Sequence, residues 1–324
     1  MNDLPLVSII LPTYNRASLV GNAIGSVIAQ AYINWELIVW DDGSEDGTKE
    51  VVRSFNDSRI RFYSDTNHGK SYALNQAIKR TKADYIAFLD DDDEWIEPKL
   101  TLQMEIMLVH HEIDLVFGNF LNLNKVTGEE GIGFDQNSDV MKFLGNQKLS
   151  EDTFMIKDNF MKCMALSNFI AFDSVIIRRE ILKKVGPFNE SLRNGEDSEY
   201  WWRFALSGGK PAFTNKVVLK RIKYSFSLSG SGITTFCNHI MNLDSCSNEA
   251  RLKNRPDLIP LLNIGYRNAW QNMITEYGRL GKTSDAVNAF KRSMKYGFSL
   301  GSFRLLFDVF LKLTDIHNEK GTQH

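Results

Sequence analysis

Four consecutive aspartates, Asp90 to Asp93, directly follow a short apolar run from Tyr85 to Leu89. The Ile, Phe and Tyr side chains of this run favour a buried strand, and the run is too short for a typical helix. Carboxylates that converge this closely need protonation or a cation. Their hard oxygen atoms prefer Mg²⁺, Mn²⁺ or Ca²⁺. The pattern favours a divalent-metal site that holds a diphosphate, and the alternative is a solvated acidic loop that caps the next helix.

A second acidic centre lies about a hundred residues later, where Gly195 ends a turn and Glu196 and Asp197 open a helix. A carboxylate at a distance from a metal site can act as a general base toward a hydroxyl group. Asp197 is the first candidate and Glu196 the second. The alternative is that Asp197 only stabilises the start of the helix. Trp201 and Trp202 either stack on an acceptor sugar or belong to the core.

The elements that must position these residues alternate between strand and helix four times in the first 110 or so residues. This order predicts a parallel sheet flanked by helices. The four loops of unusual composition each follow a strand, at residues 12–16, 41–44, 67–70 and 90–93. Because the carboxyl ends of parallel strands share one edge of the sheet, the four loops are expected to meet there.

The loop sequences exclude two common nucleotide folds, because neither GxGxxG nor GxxxxGK[ST] occurs. A nucleotide could still be held by carboxylates at its base edge and by a metal at its phosphates. Asp41 and Asp42 are candidates for donor binding, with ordinary turn chemistry as the alternative. Lys70 could be a solvated lysine, and His68 is interpreted as a loop histidine.

Composition is that of a globular protein: 324 residues, 43% hydrophobic and 24% charged, with a net charge of −2. No global basic field points to nucleic acid. Three widely spaced cysteines favour a reducing compartment. No signal-peptide pattern and no apolar run of spanning length is found, so a cytoplasmic location is expected.

Two domains are predicted. Residues 1–232 form the α/β domain, with a nucleotide-binding half at 1–123 and an acceptor and catalytic half at 124–232. Residues 233–324 form a helical region. In its last helix, predicted within residues 300–313, polar residues recur at every fourth position on an otherwise apolar surface; they are Arg304, Asp308 and Lys312. This helix either packs against its neighbours or a dimer mate, or lies on a bilayer surface.

Three segments in this order and spacing resemble the family 2 inverting glycosyltransferases of the bacterial surface-glycan type. They are residues 7–16 (VSIILPTYNR), 41–48 (DDGSEDGT) and 88–95 (FLDDDDEW), and residues 186–197 extend the similarity. The resemblance implies a GT-A fold, which is a Rossmann-like, mostly parallel sheet flanked by helices, here with a C-terminal helical extension. It also implies a nucleotide-diphosphate sugar donor, with a UDP-sugar preferred, and Mn²⁺ or Mg²⁺.

The resemblance further implies a role for each matching position. Asp90-Asp91-Asp92 corresponds to the D-x-D motif, so Asp92 would coordinate the metal and Asp90 would lie near the ribose or sugar. Asp197 corresponds to the general base. The remaining positions would contact the donor: Pro12, Thr13, Tyr14 and Asn15 line the nucleotide pocket, Asp41 accepts a hydrogen bond from the base, Asp42 supports that loop, Asp91 belongs to the donor site, and Lys70 lies near the phosphates.

The sequence therefore predicts an enzyme of polysaccharide biosynthesis, a hexosyl- or N-acetylhexosaminyltransferase. It would move a single sugar to a hydroxyl of a glycan or lipid-linked acceptor, since the Q-x-x-R-W signature of processive synthases is absent. The alternatives are a nucleotidyltransferase and a non-catalytic nucleotide-sugar-binding protein. A homodimer and peripheral contact with the inner face of the membrane are both left open.

Overall fold

The computed structural model describes residues 4–134, 147–156, 160–166, 169–192, 194–225 and 232–309. The chain divides into two compact units. The first comprises Met1–Met164 and Asn168–Ser227, and the second comprises Ala165–Ser167 and Leu228–His324. The predicted domain boundary at residue 232 stays a prediction, since residues 226–231 lie outside the described part of the chain.

The first unit is built from short strands and helices. The strands are β1 (Val7–Thr13), β2 (Trp35–Asp41), β3 (Ile60–Ser64), β4 (Tyr85–Phe88), β5 (Glu94–Trp95), β6 (Leu115–Asn124), β7 (Glu130–Ile132), β8 (Gln147–Lys148), β9 (Thr153–Met155), β10 (Ile176–Arg178) and β11 (Pro211–Lys223). The helices are α1 (Val20–Ile28), α2 (Thr48–Ser54), α3 (Lys70–Arg80), α4 (Lys99–Val109), α5 (Phe160–Leu166), α6 (Arg179–Val185) and α7 (Glu196–Leu206).

The strands form one sheet in the order β3-β2-β1-β4-β10-β6-β11-β9-β8, with β5 on β11 and β7 on β6. Strands β1 to β4 pair in parallel, as their alternation with helices predicts. Strand β10 then inserts antiparallel between β4 and β6, so the complete sheet is mixed. Its three residues follow the 3₁₀ turn Phe172–Ser174.

The central strands of the sheet are buried. All seven residues of β1 and all seven of β2 are buried, which explains why these strands read as continuous apolar runs instead of alternating ones. Helix α1 buries its apolar side through Val20, Ala23, Ile24 and Val27, the spacing expected of one helix face.

The carboxyl ends of the parallel strands are joined by backbone hydrogen bonds that continue into the loops. The Asp42 amide donates to the Thr13 carbonyl at 2.9 Å, and the Asp65 amide donates to the Asp41 carbonyl at 3.1 Å. The Leu89 amide donates to the Ile10 carbonyl at 3.0 Å. The loops that follow the first four strands therefore begin side by side along one edge of the sheet.

The second unit is helical over its described residues. Its helices are α8 (Ile233–Leu252), α9 (Ile259–Arg279) and α10 (Thr283–Met294), followed by helical residues 300–309. Their core contains Trp270, Met273, Ile274, Ala286, Ala289 and Val309. The predicted C-terminal helical extension is confirmed. Lys312 of the predicted polar stripe, with residues 310–313, lies outside the described residues. Among the helices the structure describes, none is both long and apolar enough to cross a bilayer.

One buried side chain connects helix α3 to a loop much later in the chain. Asn75 on α3 donates from Nδ2 to the Phe188 carbonyl at 2.9 Å, and its Oδ1 accepts from the Phe188 amide at 2.8 Å. The two residues are 113 positions apart. The Phe188 ring stacks on Tyr200 of α7 with centroids 4.2 Å apart. Asn75 therefore fixes the loop on which α7 packs.

We expect Asn75→Ala to lower the free energy of unfolding by about 1–3 kcal/mol, because it leaves a buried N–H and C=O without partners. Denaturant unfolding followed by fluorescence measures this loss. Lys79→Ala on the exposed side of the same helix is the matched control and should stay near wild type. Equal losses in the two variants would contradict the role given to Asn75.

Candidate active site

Hydrogen bonds hold both ends of the acidic loop after β4. At its start, the Asp90 amide donates to Oδ1 of Asp173. At its end, the Trp95 indole Nε1 donates to the Asp173 carbonyl at 2.9 Å. Between these points, Asp93 Oδ1 accepts from the Ile222 amide at 2.8 Å. The loop is therefore held by β11 and by the 3₁₀ turn Phe172–Ser174.

Asp173 is a site residue that the sequence analysis missed. It is 4% exposed and lies 83 residues after Asp90, in a stretch with no motif. Burial raises the pKa of its carboxyl well above the ordinary range, and the charges of Asp90 and Asp93 raise it further. The sequence offered one signal, an aspartate among apolar residues. That signal alone does not identify the groups that the aspartate contacts.

The environment of the aspartates disfavours their ionised forms. Burial raises the pKa of Asp91 to about 7, and the charges of Asp92 and Asp90 add to this effect. Burial is also the main cause of the raised pKa values of Asp92 and Asp93. The cluster thus holds more negative charge than its surroundings stabilise, and a bound cation would relieve the repulsion.

Protein groups already contact several of these carboxylates, and this limits which of them could hold a metal. Asp91 accepts from the Tyr14 amide at 3.3 Å and lies 3.5 Å from Nε of Arg16. By contrast, Oδ1 of Asp90 is buried with no hydrogen-bond partner in the described part of the chain, and Asp92 is half-buried. Asp92 and Asp90 are therefore the residues that fit a cation.

The number of protein ligands also bears on the kind of cation. Among the described residues, no group of three or more His, Cys, Asp or Glu side chains could hold a metal ion. A cation at Asp92 would complete its coordination with water and phosphate oxygen atoms. This is how Mg²⁺ is usually held, with one or two carboxylates beside a substrate phosphate.

Lys70 connects the two acidic centres. Its Nζ lies 2.6 Å from Oδ2 of Asp90 and 3.3 Å from Oε1 of Glu196, and 4.8 Å from the centre of the Phe172 ring. Burial works against the charge of Lys70, but the charges of Asp90 and Glu196 raise its pKa well above the ordinary value. The side chain is thus a permanent cation between the acidic loop after β4 and the start of α7.

The two carboxylates at the start of α7 have different surroundings. Glu196 is buried and paired with Lys70. Burial raises the pKa of Glu196, although Lys70 opposes the shift. Asp197 is half-buried, and its Oδ1 accepts from the Ser198 amide at 2.7 Å. Of the two candidates, Glu196 is the one paired with the lysine, and Asp197 stands one residue from that ion pair.

The first two loops of the donor side are tied to each other by Asn15. Its amide donates to Oγ of Ser44 at 2.8 Å, and its Oδ1 accepts from the Glu45 amide at 2.9 Å. Pro12 and Thr13 beside it are buried, while Tyr14 is 46% exposed. Tyr14 is therefore the member of this loop with a ring surface open to a ligand, and Asn15 mainly shapes the loop.

The second and third loops are tied by Asp42. Its two carboxylate oxygen atoms accept from the amides of His68 and Gly69 at 2.9 and 2.8 Å. The neighbouring Asp41 is buried, and its Oδ1 accepts from the Ser44 amide at 3.0 Å. The residues predicted for the donor side thus lie at the ends of β1 and β2, at the start of α3 and on the loops after β1, β2 and β4, along the same edge of the sheet.

Two tryptophans are buried, and one histidine contacts neighbouring residues. Trp201 and Trp202 are 0% and 3% exposed, so they belong to the core and cannot stack on a sugar. The His68 ring packs against Tyr72 with centroids 4.3 Å apart, and its Nε2 lies 3.0 Å from Oγ1 of Thr66. These contacts agree with its interpretation as a loop histidine.

Comparison with known proteins supplies independent information. Residues 8–186 match the family described as Glycosyl transferase family 2. The chain is 35% identical over 197 residues to the UDP-Glc:alpha-D-GlcNAc-diphosphoundecaprenol beta-1,3-glucosyltransferase WfgD of Escherichia coli, covering 60% of this chain and 68% of WfgD. It is 32% identical to an uncharacterized glycosyltransferase of Rickettsia typhi, covering 67% of this chain and 63% of that protein. Against a Rickettsia felis glycosyltransferase the match spans 31% of the relative's length.

Two solved structures share the fold. TarS 1-349 of S. aureus in complex with UDP-GlcNAc has a TM-score of 0.58 and 17% identity, covering 90% of this chain and 88% of that one. The mannosyltransferase PcManGT of Pyrobaculum calidifontis, in complex with GDP-Man and Mn²⁺, has a TM-score of 0.57 and 18% identity, covering 96% and 81%. At this identity the likeness concerns the fold alone, and it confirms the predicted GT-A fold.

The raised pKa of Asp91 predicts how stability depends on pH. The pKa is about 7 in the folded protein and about 4 in an unfolded chain. The folded state therefore binds the proton more tightly, so protonation of Asp91 stabilises the folded state. This stabilisation is complete below about pH 4 and is lost as the pH rises through about 7. Without metal, wild type should lose stability relative to Asp91→Asn as the pH rises from about 5 to 7, with little further loss above about pH 8.

Urea unfolding of both proteins in EDTA at several pH values measures this difference. Asp46→Asn is the control. Although burial raises the pKa of Asp46, hydrogen bonds from Thr48 and Ala17 lower it overall, so its titration lies below this range. The Asp46→Asn curve should run parallel to that of wild type, and a parallel Asp91→Asn curve would show that Asp91 is not perturbed.

Proposed function

We propose that this chain, which belongs to glycosyl transferase family 2, transfers a single sugar. The donor would be a nucleotide-diphosphate sugar, and the acceptor would be a hydroxyl group of a saccharide. The predicted family and the predicted enzyme class, glycosyltransferase, are confirmed. The inverting course of the reaction, the residues that perform it and the substrates are the content of the proposal. Its setting would be polysaccharide biosynthesis.

The position of Lys70 is the observation that carries the proposal. An inverting transfer needs charge neutralisation at the leaving diphosphate and a base at the acceptor hydroxyl. The residues suited to these tasks come from Asp90–Asp92 and from Glu196-Asp197, more than a hundred residues apart in sequence. The contacts of Lys70 with Asp90 and Glu196 support the proposal, because one side chain contacts both segments.

In this mechanism, the acceptor oxygen forms a bond to the anomeric carbon while the bond from that carbon to the diphosphate oxygen breaks. Asp197 takes the proton from the acceptor hydroxyl, and the configuration at the anomeric carbon inverts. Asp92, with Asp90 beside it, would hold Mn²⁺ or Mg²⁺, which would supply positive charge near the departing diphosphate. Lys70 adds a fixed positive charge, and Asp41 accepts a hydrogen bond from the base in a pocket formed by residues 12–15.

The donor and acceptor are proposed from the proteins that this chain resembles. The name of WfgD gives UDP-Glc as donor and a diphosphoundecaprenol-linked GlcNAc as acceptor. Complexes of TarS contain UDP or UDP-GlcNAc, and the PcManGT complex contains GDP-Man with Mn²⁺. We propose a UDP-hexose or UDP-N-acetylhexosamine as donor and a glycan or lipid-linked saccharide as acceptor, which would place the reaction in the cytoplasm at the inner face of the membrane.

The proposed base is tested with Asp197→Asn. We expect this variant to bind the donor like wild type and to lose about 10²–10⁴-fold in kcat, because only proton transfer is removed. A thermal-shift screen of UDP-, GDP- and dTDP-sugars with Mn²⁺ first selects the donor, and calorimetry and transfer assays follow. Asp285→Asn, in the first turn of α10, is the matched control. Donor affinity that falls as much as turnover would argue against the base role.

The proposed metal ligand is tested with Asp92→Ala. We expect the wild-type protein to bind UDP more tightly with Mn²⁺ than with EDTA, and the variant to lose this difference, because the carboxylate that holds the cation is gone. Titration calorimetry with UDP gives both affinities without turnover. Asp84→Ala changes an exposed aspartate before the same strand and should keep the full metal dependence. Unchanged metal dependence in Asp92→Ala would refute the assignment.

A further inference from the structure

The helical residues 300–309 are apolar on two opposite sides. One side faces the core of the second unit, where Val309 is 6% exposed and Leu305 and Leu306 are partly buried. The other side carries Leu300, Phe303 and Phe307, which are 78%, 58% and 57% exposed. Their spacing of three and four residues places these three side chains on one helix face. Phe298, just before the helix, is 65% exposed.

Basic residues surround this exposed apolar face. The Phe303 ring packs edge-on against Phe290 of α10, with centroids 5.9 Å apart, so the end of α10 borders the face. The residues that follow Phe290 include the exposed Lys291 and Lys295, and Arg304 is exposed on the helix itself. The exposed acid in this helix is Asp308.

The same charge bias extends over the second part of the chain. Residues 228–324 contain twelve Lys and Arg against eight Asp and Glu, while residues 1–227 contain twenty-six against thirty-two. A chain that is acidic in one part and basic in the other is suited to a negatively charged partner on the basic side.

We propose that the apolar face formed by Phe298, Leu300, Phe303 and Phe307 binds the surface of an anionic lipid bilayer. Large aromatic and aliphatic side chains with lysine and arginine beside them are the combination by which interfacial helices bind such surfaces. A second copy of the chain is the less favoured occupant. A two-fold interface would bring the same basic residues of both copies together around the apolar contact, and they would repel.

The proposal goes beyond sugar transfer and does not depend on it. A lipid-linked acceptor, if that is the substrate, would lie at the same surface, and binding would then raise the local concentration of acceptor. Membrane binding and transfer to a water-soluble acceptor analogue are separate measurements, so the failure of one is distinguishable from the failure of the other.

The test is flotation of the full-length protein with two kinds of vesicle, one of phosphatidylcholine alone and one of equal parts phosphatidylcholine and phosphatidylglycerol. We expect about fivefold or greater enrichment on the anionic vesicles, falling at about 0.5 M NaCl as the charges are screened. Leu300→Ser/Phe307→Ser should lose most of this binding, and Lys291→Glu/Arg304→Glu should lose its preference for anionic lipid. Leu252→Ser, which changes an 80% exposed leucine in α8, is the matched control.

Thermal unfolding of each variant establishes that it is folded, and light scattering after size exclusion reports the oligomeric state. Absence of binding by wild type would overturn the proposal, as would equal binding by wild type and Leu300→Ser/Phe307→Ser. A wild-type dimer in the absence of lipid that Leu300→Ser/Phe307→Ser dissociates would assign the face to a second copy instead.

Discussion

The contacts of one ammonium group, Nζ of Lys70, are the interaction on which the rest of the site depends. The group lies within ion-pair distance of Asp90 and Glu196, so it offsets negative charge from two segments that are far apart in sequence. Partly buried carboxylates without a counter-charge would be costly. The raised pKa of Lys70 keeps the group charged over the whole physiological range. The first residue of α3 thus joins the acidic loop to the helix that carries Asp197.

Four adjacent aspartates can be accommodated here because they differ in burial and in the groups that they contact. Asp91 is held by the Tyr14 amide and Arg16, and Asp93 by the Ile222 amide. These two, which are the most buried, have pKa values shifted toward the protonated form. The candidates for holding a cation are Asp92 and Oδ1 of Asp90, since Oδ2 of Asp90 is paired with Lys70. A run that looks uniform in sequence is therefore divided by burial into supporting groups and candidate functional groups.

Prediction from the sequence succeeded where local pattern and chain order were sufficient. Alternating strands and helices required the loops after β1 to β4 to share one edge, and the backbone hydrogen bonds of Asp42 and Leu89 show that they do. The antiparallel insertion of β10 was not predictable, since the sequence of a three-residue strand carries no sign of its direction. Asp173 and the Asn75 contact to Phe188 were missed for a related reason, because each is defined by a partner far away in the chain.

The sequence by itself determined a sheet flanked by helices, because hydrophobic period and turn residues are local properties of the chain, and its resemblance to a known family implied the GT-A fold and the candidate residues. Only the tertiary structure decided which candidates lie near one another and what they contact. It paired Glu196 with Lys70, placed Trp201 and Trp202 in the core, and exposed an apolar face on residues 300–309. Burial and ion pairing depend on distances between residues remote in sequence, and these exist only after the chain has folded.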